Sequence, residues 1–476
     1  MTASVPPSYF GLPALAGLCE MNTAVDSDWS LDESVSRLKR LHFCLKRLHE
    51  AFVSRVTAEP IYELKTLFSH HAYLCAEQVT LLRSRVGEMR EPPLGLDKVP
   101  CPALDQLLDE IICASTTVDF LIGTYGVAIP AVLSACERLM HDAHPLADAP
   151  TVRTAKLIRF ELSEIVTIGT QAIACVRAHA AKEPGKTDDT QVYLESIVQA
   201  AGLIDGTQIE TAPDLPPRRS SETAFQFQNE PQRDERFQDS FNAGVNPEAF
   251  LYDESFSARD KTLMMYYKRI REIDVPEMMA SILVELRDEE PWEFHAEMTR
   301  QLWDEARHAM MGEVGFVANG IDWTEIPINF TWARNLNLQL DARQRHGVLF
   351  FIEQGLMPRT GKKYEWEVGV KSGDALSALF QDFDWADEVL HAQIGRRWYV
   401  PKFGSLNEAM QYGDDCWSQV LSHWQTYRDQ GLTEHRNWWP QIYLQACQNW
   451  NTDPDPAALA FCETYADSRA DLKKLP

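Results

Sequence analysis

The chain contains no CxxC pair; its ten cysteines stand singly between Cys19 and Cys462. That spacing excludes a zinc ribbon or a rubredoxin-type iron site and fits reduced thiols better than a disulfide framework. Basic residues are also scarce, with 45 Lys and Arg against 70 Asp and Glu and a formal net charge of −25. Such a surface repels phosphate backbones and anionic headgroups, so neither nucleic acid nor a membrane is an expected partner. No apolar run is expected to reach spanning length. The opening MTASVPPSYFGLPALAG lacks a basic stretch ahead of an apolar one, and a cytoplasmic location is expected. A GxGxxG fingerprint is absent and strand-like alternation is scarce, so nothing predicts a dinucleotide-binding sheet.

What the chain does have is helical periodicity over most of its 476 residues, too many for one ordinary domain. The pattern predicts an all-α protein in four parts. Residues 1–181, with runs such as SVSRLKRLHFCLKRLHEAF, read as an N-terminal helical domain. Residues 182–256 change character, with EPGKTDD and PDLPPRRSS, and read as a polar linker with a short helix near 192–203. Residues 257–400 hold four long helices, expected at 257–288, 291–319, 338–358 (running on toward 370) and 375–400. Residues 401–476 form a helical appendage. Ser257 followed by Asp260 predicts a cap for the first of the four helices, and Pro291 suits the first turn of the second. Twelve of the 13 tryptophans fall between Trp292 and Trp450, which places the denser aromatic core in this half.

Two short strings carry chemistry. LWDEARHAMMGE holds Asp304, Glu305 and His308, and WADEVLHAQ repeats the arrangement with Asp387, Glu388 and His391. A chain with 13 histidines and this much glutamate contains about one Glu-x-x-His by chance. Two copies, each preceded by Asp, are much harder to reach by chance. At a spacing of three, Glu and His leave one face of a helix and can share an ion. Two such helices facing each other need one more carboxylate from each of two further helices to complete a dinuclear site. Opposite Glu388, Glu353 is the single acidic residue in RHGVLFFIEQGLMP; the bland alternative is a salt bridge to Arg359. Opposite Glu305 there are two candidates. Glu277 shares a face with Tyr266, Ile270 and Ile273 and is preferred. Glu272 shares its face with Lys268 and Arg269 but sits at the better chain separation. Asp304 and Asp387 are placed to accept the second N–H of the histidine on the opposite helix, with Arg307 neutralising them. Four converging glutamates without cations would drive one another toward protonation, so the set makes physical sense as a site for two divalent metals.

The DEARH and DEVLH strings, with Glu353 and a helix-one glutamate, resemble the ferritin-like di-iron carboxylate superfamily. The nearest pattern is that of the large subunits of bacterial multicomponent monooxygenases. The resemblance covers 257–400. It implies a four-helix bundle carrying a dinuclear metal site, with the N-terminal domain a candidate decayed copy. The ligands it implies are Glu277 (or Glu272), Glu305, His308, Glu353, Glu388 and His391. The cofactor implied is two iron ions or a manganese–iron pair, with O2 as co-substrate. The activity implied is that of an oxidase or oxygenase acting on a small organic substrate, with electrons from an external reductase, a soluble reductant or the substrate. Gly312 stands four residues after His308, where ribonucleotide reductase small subunits carry a radical tyrosine, so that radical is not expected. The lack of CxxC argues against a rubrerythrin. The alternative is a ferritin-like metal-binding protein without oxygenase activity, serving storage, sensing or assembly. A third reading makes both strings surface ion pairs of a structural protein. The N-terminal residues His70, His71, His141, His144, Glu161 and Glu164 contain no Glu-x-x-His. Packing, homodimer formation or covering of the metal helices is expected of that domain.

Overall fold

Every regular element among the described residues is a helix. The structure is a computed structural model, which describes residues 9–89, 95–180, 187–358, 361–420 and 424–464. The chain divides into two compact units. One comprises Met1–Phe52 and Leu74–Gln226, the other Val53–Tyr73 and Phe227–Pro476. Residues 53–73 group with the C-terminal half, and the boundary between the units falls after Gln226.

In the first unit, α1 (Leu31–Ala58) places Leu38, Leu41, Leu45, Leu48 and Phe52 on one fully buried stripe, the spacing of a helix that buries one face. Helices α2 (Tyr62–Gly87), α3 (Pro102–Ile112), α4 (Ile129–Asp142), α5 (Ala149–Ala180) and α6 (Thr187–Ala200) follow. Within this unit α4 packs on α5, and α3 packs on α6. The polar segment after α6 is held down by its backbone: the N–H groups of Arg219 and Ser220 each donate to the Glu110 carboxylate at 2.7 Å. One helical stretch, Thr117–Asp142, is long and apolar enough to cross a membrane, contrary to the expectation that no run would be. Most of it is buried inside the protein, as a core helix would be.

The second unit is built around four helical rods. The first is broken into α7 (Ala258–Ile270) and α8 (Asp274–Glu285), separated by a tight 3-10 turn at Arg271–Ile273. Ser257 caps α7 by accepting from the Asp260 N–H at 3.1 Å, as its spacing predicts. The second rod is α9 (Trp292–Ala318), with Pro291 at its N-cap rather than inside its first turn. After α10 (Thr331–Gln339), the third rod α11 (Ala342–Gly355) opens with a reciprocal capping box between Asp341 and Gln344. It does not run on toward residue 370. A new helix, α12 (Lys362–Ser372), starts after Gly361. The fourth rod is α13 (Ala375–Trp398), followed by α14 (Leu406–Val420) and α15 (Trp439–Trp450).

The rods close a ring: α7 and α8 pack on α9, α9 on α13, α13 on α11, and α11 on α8. Close approach depends on glycine where helices cross. A methyl group at Gly312 would strike the backbone of Ile270 and Tyr266, and one at Gly395 would strike the Phe350 ring. Gly312 therefore serves helix contact. A large aromatic core of Tyr266, Tyr267, Phe250, Phe316, Trp438, Trp439 and Tyr443 lies beside the ring. This matches the tryptophan density of the C-terminal half.

Candidate metal centre

Each of the four rods contributes to one buried cluster. Glu272 sits in the 3-10 turn of the first rod. Glu305 and His308 come from α9, Glu353 from α11, and Glu388 and His391 from α13. Three overlapping groups have ligand atoms all within 4.8 Å of one another: Glu305, Glu353, Glu388 and His391; Glu272, Glu305 and His308; and His308, Asp384 and Glu388. His391 Nδ1 lies 3.1 Å from Glu305, 3.6 Å from Glu388 and 3.9 Å from Glu353. His308 Nδ1 lies 3.4 Å from Glu272 and 3.7 Å from Glu305. The two imidazole centroids are 5.9 Å apart.

The cluster leaves one atom of each of these six residues without a hydrogen bond: Glu272 Oε2, Glu305 Oε1, His308 Nδ1, Glu353 Oε2, Glu388 Oε2 and His391 Nδ1. Leaving a buried polar atom unpaired costs about 1–3 kcal/mol, and more if it is charged. Six such atoms converging at one place, all of them oxygen or imidazole nitrogen, are a donor set for a metal ion. The buried Glu and His cluster could thus hold a metal ion.

The other imidazole nitrogens are fixed from outside. His308 Nε2 is 3.1 Å from Asp387, and His391 Nε2 is 3.4 Å from Asp304, so each histidine meets the aspartate of the opposite string. Arg307 bridges both aspartates, at 2.6 Å to Asp304 and 2.8 Å to Asp387, and Arg300 donates to Asp304 at 2.9 Å. An N–H held by a carboxylate orients each ring with Nδ1 toward the cluster.

The preferred helix-one residue from sequence, Glu277, lies outside the cluster. It is fully buried, but both of its oxygens are taken: Lys65 and the Arg233 Nε (3.2 Å) reach Oε1, and the Arg233 NH2 reaches Oε2 at 2.9 Å. It has no atom to offer, and the alternate Glu272 stands beside His308 instead. Glu353 is paired with Gln301, at 3.1 Å, rather than with a base. Arg359, weighed as its partner, lies outside the described residues. His70 stacks on Trp303 at 4.4 Å between centroids, while Glu161 accepts from Gln78 at 3.0 Å.

Sequence reasoning missed the cations and one aspartate. Lys362, fully buried at the start of α12, reaches Glu388 at 2.8 Å and both oxygens of Asp384, at 3.0 and 2.9 Å. Arg269 is also fully buried; it pairs with Asp384 and lies 2.9 Å from Glu272. Lys268 pairs with buried Glu365. Asp384 was findable, because it precedes Glu388 by four and so shares its helix face. Lys362 had no signal, since its helix was expected to continue from α11.

The electrostatics follow from this packing. Burial, then the facing Glu388 and Glu305, push Glu353 well above the carboxylate range. Burial works the same way on Glu388, but Lys362 first, then the neighbouring Glu353 and His391, outweigh it and hold it well below that range. Burial opposes a proton on His308, yet Asp387, Glu272 and Glu305 raise it to about 10.

A cavity of about 380 Å³ reaches Glu272, Glu305, Glu353 and Glu388. Its lining also includes the apolar Trp332, Leu349, Ile352, Leu356, Trp417 and Val420 and the charged Glu248, Lys268, Arg271 and Asp274. Leu356 lines it, whereas Ala280, Ser281, Ala309, Gly312 and Phe350, near the cluster residues by helical spacing, do not. The others pack helices: the Ser281 hydroxyl, for instance, bonds to Asn337 at 2.9 Å.

The chain matches no protein-family model, no curated protein and no solved structure.

Proposed function

We propose that this protein is a ferritin-like non-haem di-iron, or manganese–iron, oxidase or oxygenase acting on a small organic substrate. The observation that carries the reading is the set of six buried, unpaired donor atoms, one from each residue of a doubled Glu-x-x-His pattern with two further glutamates. Glu272, Glu305 and His308 would hold one ion and Glu353, Glu388 and His391 the other, with Glu305 facing both. When bound, such a pair supplies reductive activation of O2 toward a substrate C–H or N–H bond.

The rest is the work of this chain. Asp387 and Asp304 keep each histidine's Nε2 protonated and its Nδ1 free. Lys362 and Arg269 reduce the negative charge around Glu388, Glu272 and Asp384. The apolar part of the cavity lining leaves room for a small molecule beside four of the carboxylates. A cavity of this kind supports an oxygenase over a storage or sensing protein, which needs no such lining.

The test begins with metal analysis of the purified protein, followed by oxygen consumption of the ferrous form. Two ions per chain and uptake that accelerates with particular organic compounds are expected. No iron or manganese, with stability unchanged by chelation, would sink the reading. Slow uptake indifferent to every compound would favour storage or sensing.

A further inference from the structure

Resting on that metal reading, we propose that the substrate is a small carboxylic acid with an apolar body, its carboxylate held by Arg271 and Asn329 and its body lying along the face of α11 that carries Glu353. The polar and the apolar lining of the cavity come from different elements. Arg271 and Asp274 stand three apart at the break in the first rod. Arg233 ties them to Asn329, because it pairs with Asp274 and donates to the Asn329 carbonyl at 2.9 Å. The apolar lining belongs to α11 and to two tryptophans. Leu349, Ile352 and Leu356 flank Glu353 at helical spacing. Trp332 and Trp417 meet edge to face, 5.8 Å between centroids.

The charged groups on the polar side decide what the cavity selects. Both acids there stand against bases: Asp274 is paired with Arg233, and Glu248 lies 3.7 Å from Lys268. Lys268 is itself paired with buried Glu365. Arg271 differs, because a guanidinium has five N–H donors and one carboxylate takes up two. Its central carbon lies 5.3 Å from the centroid of the Tyr267 ring, a contact that steadies the guanidinium. Asn329 is only 7% exposed. Its side-chain oxygen faces the Thr331 hydroxyl at 3.5 Å, which leaves its NH2 as a donor at the cavity. An arginine fork and a carboxamide NH2 together suit a carboxylate, whereas an ammonium would find both nearby acids already matched. Two divalent ions balance the charge of the four glutamates at the cavity, so an anion is not repelled there.

Isothermal titration of the full-length protein loaded with Mn(II), with bound ions counted on the same sample, tests this. The probes are phenylacetate and hexanoate, their neutral amides, the matching amines 2-phenylethylamine and hexylamine, and acetate. At least one of the two larger acids should bind about tenfold or more tightly than its own amide or amine. It should also exceed acetate, which lacks the apolar body, by about tenfold or more. Arg271→Met should erase the preference for acid over amide and leave amide binding within about twofold. Asn329→Ala should weaken acid and amide alike. The inference is overturned if amide or amine binds as well as the acid, or if no probe binds. Acid binding unchanged in Arg271→Met or in Asn329→Ala also overturns it, since the carboxylate would then rest on metal alone. Should Arg271→Met not fold, the wild-type series and Asn329→Ala decide. Two Mn(II) ions per chain without a preference for acid sink this inference and spare the metal reading; no bound Mn(II) sinks both.

Discussion

At Glu277 both carboxylate oxygens are consumed by Lys65 and Arg233, whereas five positions earlier Glu272 keeps Oε2 free beside His308. Glutamine at each position should therefore separate folding from metal binding. Glu277→Gln leaves two buried cations with less compensation and is expected to cost about 3 kcal/mol in denaturant unfolding, with metal content per folded chain unchanged. Glu272→Gln should lower metal content with a much smaller effect on stability. The histidines add a pH signature. The folded value of about 10 for His308 lies above its ordinary value of 6.5. Its contribution to metal-free stability is fully present below that ordinary value and is lost as pH rises toward the folded one. Metal needs the neutral imidazole, so binding releases protons and tightens over the same rise. Unfolding midpoints from about pH 6 to about pH 9 should fall for the metal-free protein relative to the Mn(II)-loaded one. A gap that narrows with rising pH would contradict the proton bookkeeping.

At the scale of elements, the rods touch where side chains are smallest. Gly312→Ala would push α9 off the Ile270 backbone, and overpacking of this kind costs about 1–3 kcal/mol. It should also reduce metal occupancy, because Glu272 lies on the displaced rod and Glu305 and His308 on α9. Gly87→Ala, where a methyl group meets nothing within 4 Å, is the control and should change the unfolding midpoint little. The same first rod shows where reading from sequence stops. Helix type, the Ser257 cap and the positions of α9 and α13 were legible, since caps and 3.6-residue spacing are local. So were Glu305, His308, Glu353, Glu388 and His391 as a converging set. The choice of Glu277 over Glu272 failed because face assignment assumed one unbroken helix. The 3-10 turn at Arg271–Ile273 resets the angular phase, so residues on either side no longer share the stripe that spacing suggests. The face that Glu272 shares with Lys268 and Arg269 also suggests a solvated position. Both of those bases are buried, paired with Glu365 and Asp384 from α12 and α13, and such long-range pairing leaves no periodic trace.

For the molecule as a whole, metal should act on one unit. Hydrogen exchange with and without Mn(II) is expected to show added protection in 258–285, 292–318, 342–355 and 375–398, and little change in 31–52 or 149–180. Protection spread evenly over the chain would contradict a site confined to the C-terminal unit. Ion binding at about a hundred times its Kd stabilises the folded form by about 2.7 kcal/mol. That gain offsets part of the cost of gathering so many buried acids in a chain of net charge −25. The crossed pairs of Asp304 with His391 and His308 with Asp387 have a further effect, on helix alignment. Two antiparallel helices with apolar faces can slide by a turn, about 5.4 Å, and bury nearly the same area. Here such a slip would separate both imidazoles from their aspartates at once and leave four buried polar groups stranded. The paired strings thus act as a ruler between α9 and α13, fixing their register before any ion arrives.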